Sequence, residues 1–105
     1  MLSTLLVLTG VFVADPTYLR CTFPEGVQVF VTADEPNSAV SVSIPASGYT
    51  AKFAATFTAT EVRFGDRTLS YIVSRTDLSA TRHINLLNET EKGQCKVEQA
   101  PKRAF

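Results

Sequence analysis

Histidine, tryptophan and cysteine are scarce or missing in this 105-residue chain, and the shortage narrows what the protein can do. It has one histidine (His83), two cysteines and no tryptophan. A structural zinc site needs about four His, Cys or acidic ligands close together, and catalysis by histidine needs a nucleophile and an orienting acid around the ring. The apolar alternation around His83 places it on the solvent face of a strand. We therefore predict no metal site and no histidine-dependent enzyme.

Neither the glycines nor the charged residues form a pattern that binds phosphate. None of the five glycines lies in a GxGxxG or GxxxxGK motif, whose backbone N–H groups cradle nucleotide phosphates. Ten basic residues balance ten acidic ones, and no basic run is present to follow a phosphate backbone. The acids fall mostly in predicted turns and not in a pair across a cleft. We predict a protein that is not an enzyme, needs no cofactor and binds no nucleic acid.

The sequence does contain a long alternation of apolar and polar residues. Between residues 51 and 86, apolar side chains recur at every second position within each run. Successive side chains of a strand point to opposite faces, so a period of two predicts antiparallel strands with one buried face. The predicted inward residues are Ala51, Phe53, Ala55, Phe57, Val62, Phe64, Leu69, Tyr71, Val73, Leu78, Ala80, Ile84 and Leu86.

Turn-forming residues divide the chain into eight predicted strands within a single domain at 15–99. The predicted strands cover residues 18–23, 27–31, 40–44, 51–57, 61–64, 68–73, 78–87 and 94–98, with a polar loop at 33–38 and a polar turn at 88–93. Short connections favour a meander, in which each strand pairs with its neighbour in sequence. The fold class is therefore all-β, a closed or nearly closed eight-stranded β-barrel, with a β-sandwich as the alternative.

Cys21 and Cys95 lie near the two ends of the predicted sheet, each on the inward register of its strand. Two inward thiols on the first and last strands are placed for a disulfide that closes the barrel. The entropy of closing such a loop corresponds to roughly 4 to 5 kcal/mol of stabilisation. The alternative is a pair of unconnected buried thiols in a cytosolic protein.

Residues 1–14 read MLSTLLVLTGVFVA, an apolar run with no preceding Lys or Arg. The run is shorter than the ~20 residues that span a bilayer and has the length of the apolar core of a secretory signal peptide. We expect export to the periplasm or the extracellular space, with no transmembrane span in the mature chain. The alternative is a first strand of the domain. Residues 100–105 form a basic and aromatic tail, which is either solvated or used for docking.

Two predicted loops carry side chains suited to recognition. In the first, Ser47 and Gly48 precede Tyr49, an aromatic residue that offers a large contact area. In the second, Arg75 offers a forked donor that suits a partner's carboxylate. The alternatives are a rim aromatic at Tyr49 and, at Arg75, a solvated cation paired with Asp77. Because loops on a rigid sheet are where non-catalytic domains bind their partners, we predict that the partner is another protein.

This layout resembles the periplasmic and membrane-bound inhibitors of C-type lysozyme, which are small exported eight-stranded barrels. Residues 18–21 (YLRC) are similar to the family's opening Tyr-x-Cys, and residues 94–96 (QCK) to its closing cysteine. Ser47-Gly48 matches the start of its Ser-Gly-x-x-Tyr loop, with Tyr49 two positions early, and Arg75 begins the pair that stands in place of its Lys-Gly. The resemblance implies that Ser47 and Arg75 enter the lysozyme cleft and engage its catalytic acids.

A second pattern, Tyr-Ile-x-x-Arg-Thr-x-Leu at 71–78 followed by Gly-x-Cys-Lys at 93–96, is similar to small uncharacterised exported bacterial and phage-encoded proteins. It implies no activity. The leading hypothesis is an exported binding domain that inhibits a cell-wall hydrolase such as C-type lysozyme. The alternative is a structural or assembly component of a virion or cell envelope that acts through sheet edges or the C-terminal tail. A small-ligand carrier is disfavoured, since aromatic side chains are expected to fill the barrel.

Overall fold

A computed structural model describes residues 15–99, which form a closed antiparallel barrel of eight strands. The strands are β1 (Thr17–Phe23), β2 (Val27–Asp34), β3 (Ala39–Ile44), β4 (Tyr49–Phe57), β5 (Glu61–Gly65), β6 (Leu69–Ser74), β7 (Ser79–Ile84) and β8 (Glu89–Glu98). Each strand pairs with its neighbours in sequence, and the last strand pairs with the first. The predicted barrel is confirmed and the β-sandwich is excluded. The leader at 1–14 and the tail at 100–105 lie outside the described residues, so their roles stay predictions.

The alternating apolar residues of the sequence fill the middle of the barrel. Val29, Val40 and Val42 are at most 2 % exposed, because the even spacing of inward positions packs them against the opposite wall. The rings of Phe64 and Tyr71 stack with their centroids 4.9 Å apart. A centre packed in this way leaves ligands or partners only the two ends and the outer surface.

Cys21 and Cys95 form the predicted disulfide. The two residues lie directly opposite each other in the register of β1 and β8, and both are buried inside the barrel. The bond joins positions 74 residues apart, at the seam where the two ends of the meander meet. Backbone pairing and a covalent bond therefore hold the same seam.

The largest difference from the predicted strands lies between β7 and β8. β7 ends at Ile84 and not at 87, and β8 begins at Glu89, inside the segment predicted as a turn. The chain reverses within residues 85–88, where Asn88 has a φ of 51°. Leu86, which was predicted to point inward, is 86 % exposed in this reversal.

Gly93 explains how a segment with the composition of a turn forms a strand. A Cβ atom at Gly93 would lie 2.8 Å from the ring of Phe23 and closer still to the carbonyl oxygen of Thr22. Glycine in a strand interior often marks a close approach of two backbones. Here it lets β8 pass close to β1, where the sequence indicated a reversal of the chain.

The meander places alternate loops at opposite ends of the barrel. The loops after β2, β4 and β6 share one end with the start of β1 and the end of β8. We call this end the Arg75 mouth, formed by residues 15–17, 35–38, 57–60, 74–78 and 97. The loops after β1, β3, β5 and β7 form the Tyr49 end, at residues 24–26, 45–49, 66–68 and 85–88. Tilted strands of about six residues separate the two ends by roughly 15 to 20 Å.

Candidate binding site at the Arg75 mouth

The four predicted binding residues do not form one site. Ser47, Gly48 and Tyr49 lie where β3 turns into β4, at the Tyr49 end, whereas Arg75 lies between β6 and β7 at the Arg75 mouth. The packed core of the barrel separates the two groups. The resemblance to lysozyme inhibitors implied that Ser47 and Arg75 engage the catalytic acids together, whereas here the two residues lie at opposite ends of the barrel.

At the Tyr49 end, Ser47 and Gly48 stabilise the turn that contains them. Gly48 has a φ of 75°, and its N–H donates to the carbonyl of Ile44 at 2.9 Å. The hydroxyl of Ser47 donates to the same carbonyl at 3.3 Å and accepts from the N–H of Tyr49 at 3.4 Å. Tyr49 is 37 % exposed. Of the three, only Tyr49 presents a large side chain to a partner.

At the Arg75 mouth, Arg75 holds the carboxylate of Glu35 in a bidentate ion pair. Its Nη1 and Nη2 atoms donate to Oε2 and Oε1 of Glu35 at 3.2 and 2.8 Å. Nη1 also donates to the carbonyl of Thr58 at 2.7 Å, and the guanidinium lies 5.8 Å from the centre of the Phe57 ring. Glu35 follows β2 and Arg75 follows β6, four strands apart in a ring of eight. The pair therefore bridges the mouth between loops that face each other.

Asp77, the alternative partner predicted for Arg75, is engaged elsewhere. Its Oδ1 accepts from the backbone N–H and the hydroxyl of Ser79 at 2.9 and 2.8 Å. These bonds hold the pKa of the Asp77 carboxyl below its usual value. Glu35 lies 40 residues from Arg75, and no local spacing in the sequence indicates their pairing. The closure of the barrel brings their loops together.

The ion pair shifts the protonation of both members. The hydrogen bond from Arg75 holds the pKa of the Glu35 carboxyl below its usual value, and the same bond raises the pKa of the Arg75 guanidinium. The side chain of Glu35 is 53 % exposed, so water and salt screen the attraction. Because an exposed pair of this kind contributes little to stability, another carboxylate can replace that of Glu35 without a large cost to the fold.

Beneath the ion pair lies an apolar cavity of about 310 Å³. Its inner wall includes Leu19, Val62 and Val73, which come from β1, β5 and β6. Val97 shares the inward register with Leu19 but is 61 % exposed, which shows that this end of the barrel is open. The volume lies at the lower end of the range of roughly 300 to 1,000 Å³ for ligand sites, which often occupy the mouths of barrels. The remaining lining residues are Asp15, Thr17, Ala33, Glu35, Phe57, Ser74, Arg75 and Leu78.

Another arginine–glutamate pair, which was not predicted from the sequence, lies inside the barrel. Arg82 is 8 % exposed, and its Nε donates to Oε1 of Glu91 at 2.9 Å. Its guanidinium lies 4.8 Å from the centre of the Phe23 ring. The alternation along β7 puts Arg82 on the same inward register as Ala80. This alternation is the sequence signal from which a buried Arg82 could have been predicted. Glu91 gave no such signal, because its segment has the composition of a turn.

The hydroxyl of Tyr71 is buried beside Arg82 and has no hydrogen-bond partner among residues 15–99. Burial raises the pKa of this hydroxyl, and the charge of Arg82 opposes the shift. Burial acts to lower the pKa of Arg82, but the hydrogen bond with Glu91 and the contact with Tyr71 keep it above its usual value. The pair thus keeps a neutralised charge within the core, which is a structural role.

His83 lies on the outward register of β7, as predicted, where it is half-buried and its Nδ1 is 2.9 Å from the hydroxyl of Thr90. In the described part of the chain, no three His, Cys, Asp or Glu side chains are grouped to hold a metal ion. No helix between residues 15 and 99 has the length and apolar character of a membrane-crossing segment.

The chain has no match among known protein families, curated proteins or solved structures. Its function therefore has to be inferred from the geometry of the barrel and its two ends. Of these, the Arg75 mouth combines an exposed charged fork with an apolar cavity.

Proposed function

We propose that this chain is a non-enzymatic, exported binding domain that recognises another protein through the Arg75 mouth. The observation that carries the proposal is the bidentate hold of Arg75 on a carboxylate at the open end of the barrel. The fork of an arginine matches a carboxylate in shape and charge. A partner's carboxylate can replace that of Glu35, because Thr58 and Phe57 also position the guanidinium.

The leading specific partner is a cell-wall hydrolase such as C-type lysozyme. Lysozyme catalyses with two carboxyl groups that flank its substrate, and these are the kind of group that Arg75 holds. Of the four predicted binding residues, Arg75 lies at this end, and the proposal gives Ser47, Gly48 and Tyr49 no part in the contact.

The disulfide between Cys21 and Cys95 supports the export of the protein. Disulfides persist in oxidising compartments, whereas cytosolic thiols are kept reduced. Together with the apolar leader at 1–14, this favours the periplasm or the extracellular space as the location.

The alternative function is a structural or assembly component of a virion or cell envelope. This function would act through sheet edges or through the C-terminal tail. The described barrel has no edge strand, because β1 pairs with β8. The tail at 100–105 lies outside the described residues. The observation in its favour is the exposed pair Leu86 and Leu87 at the Tyr49 end, where 86 and 59 % of the residue surface is accessible.

The test is lysis of a cell-wall suspension by C-type lysozyme in the presence of the oxidised protein. Wild-type protein should slow lysis, and Arg75→Ala should abolish the effect. Glu35→Gln should strengthen it, because the competing carboxylate is removed and the fork remains. Arg63→Ala is the matched control, since Arg63 also pairs with a glutamate but lies on β5 with 59 % of its side chain exposed.

Inhibition that survives Arg75→Ala would contradict the proposed contact. Absence of inhibition by wild type and by Glu35→Gln would reject lysozyme as the partner. If the protein then eluted as an oligomer that Leu86→Ser dissociates, the assembly alternative would be favoured.

A further inference from the structure

We infer that the cavity beneath the Arg75–Glu35 pair is a binding site for a small organic carboxylate with a linear apolar tail. The carboxylate of the ligand replaces Glu35 on the guanidinium of Arg75, and the tail fills the cavity. The sequence disfavours a small-ligand site, because its aromatic side chains are expected to fill the barrel. They fill its middle, but the Arg75 mouth stays open.

The wall of the cavity supplies the apolar half of the site. Leu19, Val62 and Val73 are 7, 8 and 3 % exposed, and all three line the cavity. A tail that enters the cavity gains free energy because its own apolar surface leaves water. The volume of about 310 Å³ lies near the lower limit of roughly 300 Å³ for small-molecule sites. This space suits a chain of medium length and not a long-chain lipid.

Arg75 supplies the polar half of the site at the rim of the cavity. Its two hydrogen bonds to Glu35 show that the fork holds a carboxylate in this position, and a third, to the carbonyl of Thr58, orients the guanidinium. Exchange of one carboxylate for another conserves the ion pair. The free energy of binding therefore depends mainly on burial of the apolar tail. Asp15 also lines the cavity, and its charge repels an anion. The carboxylate of the ligand is therefore repelled by two acids, Glu35 and Asp15. Its affinity should rise when Glu35 is neutralised.

This inference goes beyond the protein-binding proposal and does not depend on it. A small ligand enters the barrel end, whereas a protein partner closes over it. The two ideas are tested with different ligands in different assays.

The probe is octanoate, titrated into the oxidised full chain and followed by NMR of methyl groups. The methyl signals of Leu19, Val62 and Val73 should shift, and those of Val27 and Ile44 at the Tyr49 end should not. Octanol has the same number of carbons and no charge. It should bind about tenfold more weakly, because it lacks the charge-assisted contact with Arg75.

Four variants separate the head group from the tail. Arg75→Ala should weaken octanoate to the affinity of octanol, and Glu35→Gln should tighten octanoate by about threefold without affecting octanol. Ala33→Phe, which fills the cavity from β2, should abolish binding of both. Arg63→Ala, on the outer face of β5, should leave both affinities unchanged.

Equal affinities for octanoate and octanol in wild type would overturn the role of Arg75. Methyl shifts at Val27 and Ile44 in place of those at the Arg75 mouth would overturn the location. The absence of any shift at millimolar octanoate, in wild type and in Glu35→Gln, would overturn the site as a whole. None of these results would alter the lysis assay, so failure of one proposal is distinguishable from failure of the other.

Discussion

At the scale of single residues, two arginine–glutamate pairs of the same composition have different roles. Arg82 and Glu91 lie inside the barrel, where burial makes the loss of one partner costly. Arg75 and Glu35 lie at an open end, where water screens them. The first pair is therefore part of the core, whereas the second can exchange its carboxylate and is suited to binding.

The protonation of Glu35 tests the Arg75 pair directly. Its carboxyl should titrate below the usual value of 4.5, because the hydrogen bond from Arg75 favours the charged form. A lowered pKa in the folded state means that the pair stabilises the fold above the unfolded pKa. That contribution is lost as the pH falls through the lower folded pKa. The measurement is a pH titration of the Glu35 carboxyl carbon by ¹³C NMR.

Two variants complete the titration of Glu35. In Arg75→Ala the midpoint should rise towards 4.5, and in Arg63→Ala it should stay where it is in wild type. A wild-type midpoint at or above the usual value would show that the ion pair does not form in solution.

At the scale of strands and loops, the sequence predicted most of the barrel, including residues 94–98 of β8, but not the first half of that strand. The alternation of Val40, Val42 and Ile44, or of Phe53 and its neighbours, is a local signal that survives in the structure as the inward register. The segment at 89–93 has turn composition, and it forms a strand because Glu91 meets Arg82 and Gly93 meets β1. Such long-range contacts are not indicated by the local pattern of the sequence.

Gly93→Ala tests the close approach of β8 and β1. The added methyl group would overlap Phe23 and the backbone of Thr22, so one strand has to move, at a cost of about 2 kcal/mol in the free energy of unfolding. Gly26→Ala is the control, because nothing lies within 4 Å of its added Cβ and its φ is 75°. It should lose about 1 kcal/mol, which is the cost of a positive φ in alanine. Urea unfolding measures both, and equal losses would argue against the close approach.

The candidate site shows the same limit of sequence reasoning. Arg75 was found from the sequence because a forked cation in a loop is a local feature. Glu35 and the cavity were not, because they depend on the ring closure that sets the loops after β2 and β6 face to face. Ser47 and Arg75 lie apart for a related reason, since successive loops of a meander alternate between the two ends.

At the scale of the whole molecule, a single covalent bond and one backbone seam turn a meander into a scaffold with two distinct ends. The disulfide fixes β1 against β8, and its loop-closure entropy corresponds to roughly 4 to 5 kcal/mol. The packed core separates the ends, so the residues of one end do not contact those of the other. We propose that binding falls to the Arg75 mouth, whereas Ser47 and Gly48 stabilise a turn.

The measurement that tests this assignment most directly is a map of backbone amide shifts when C-type lysozyme is added to the oxidised, isotope-labelled protein. We expect shifts in the loops at 35–38, 58–60 and 75–78, with no change at 45–49 and 85–88. Shifts confined to the Tyr49 end, or an unchanged spectrum with lysozyme in excess, would contradict it.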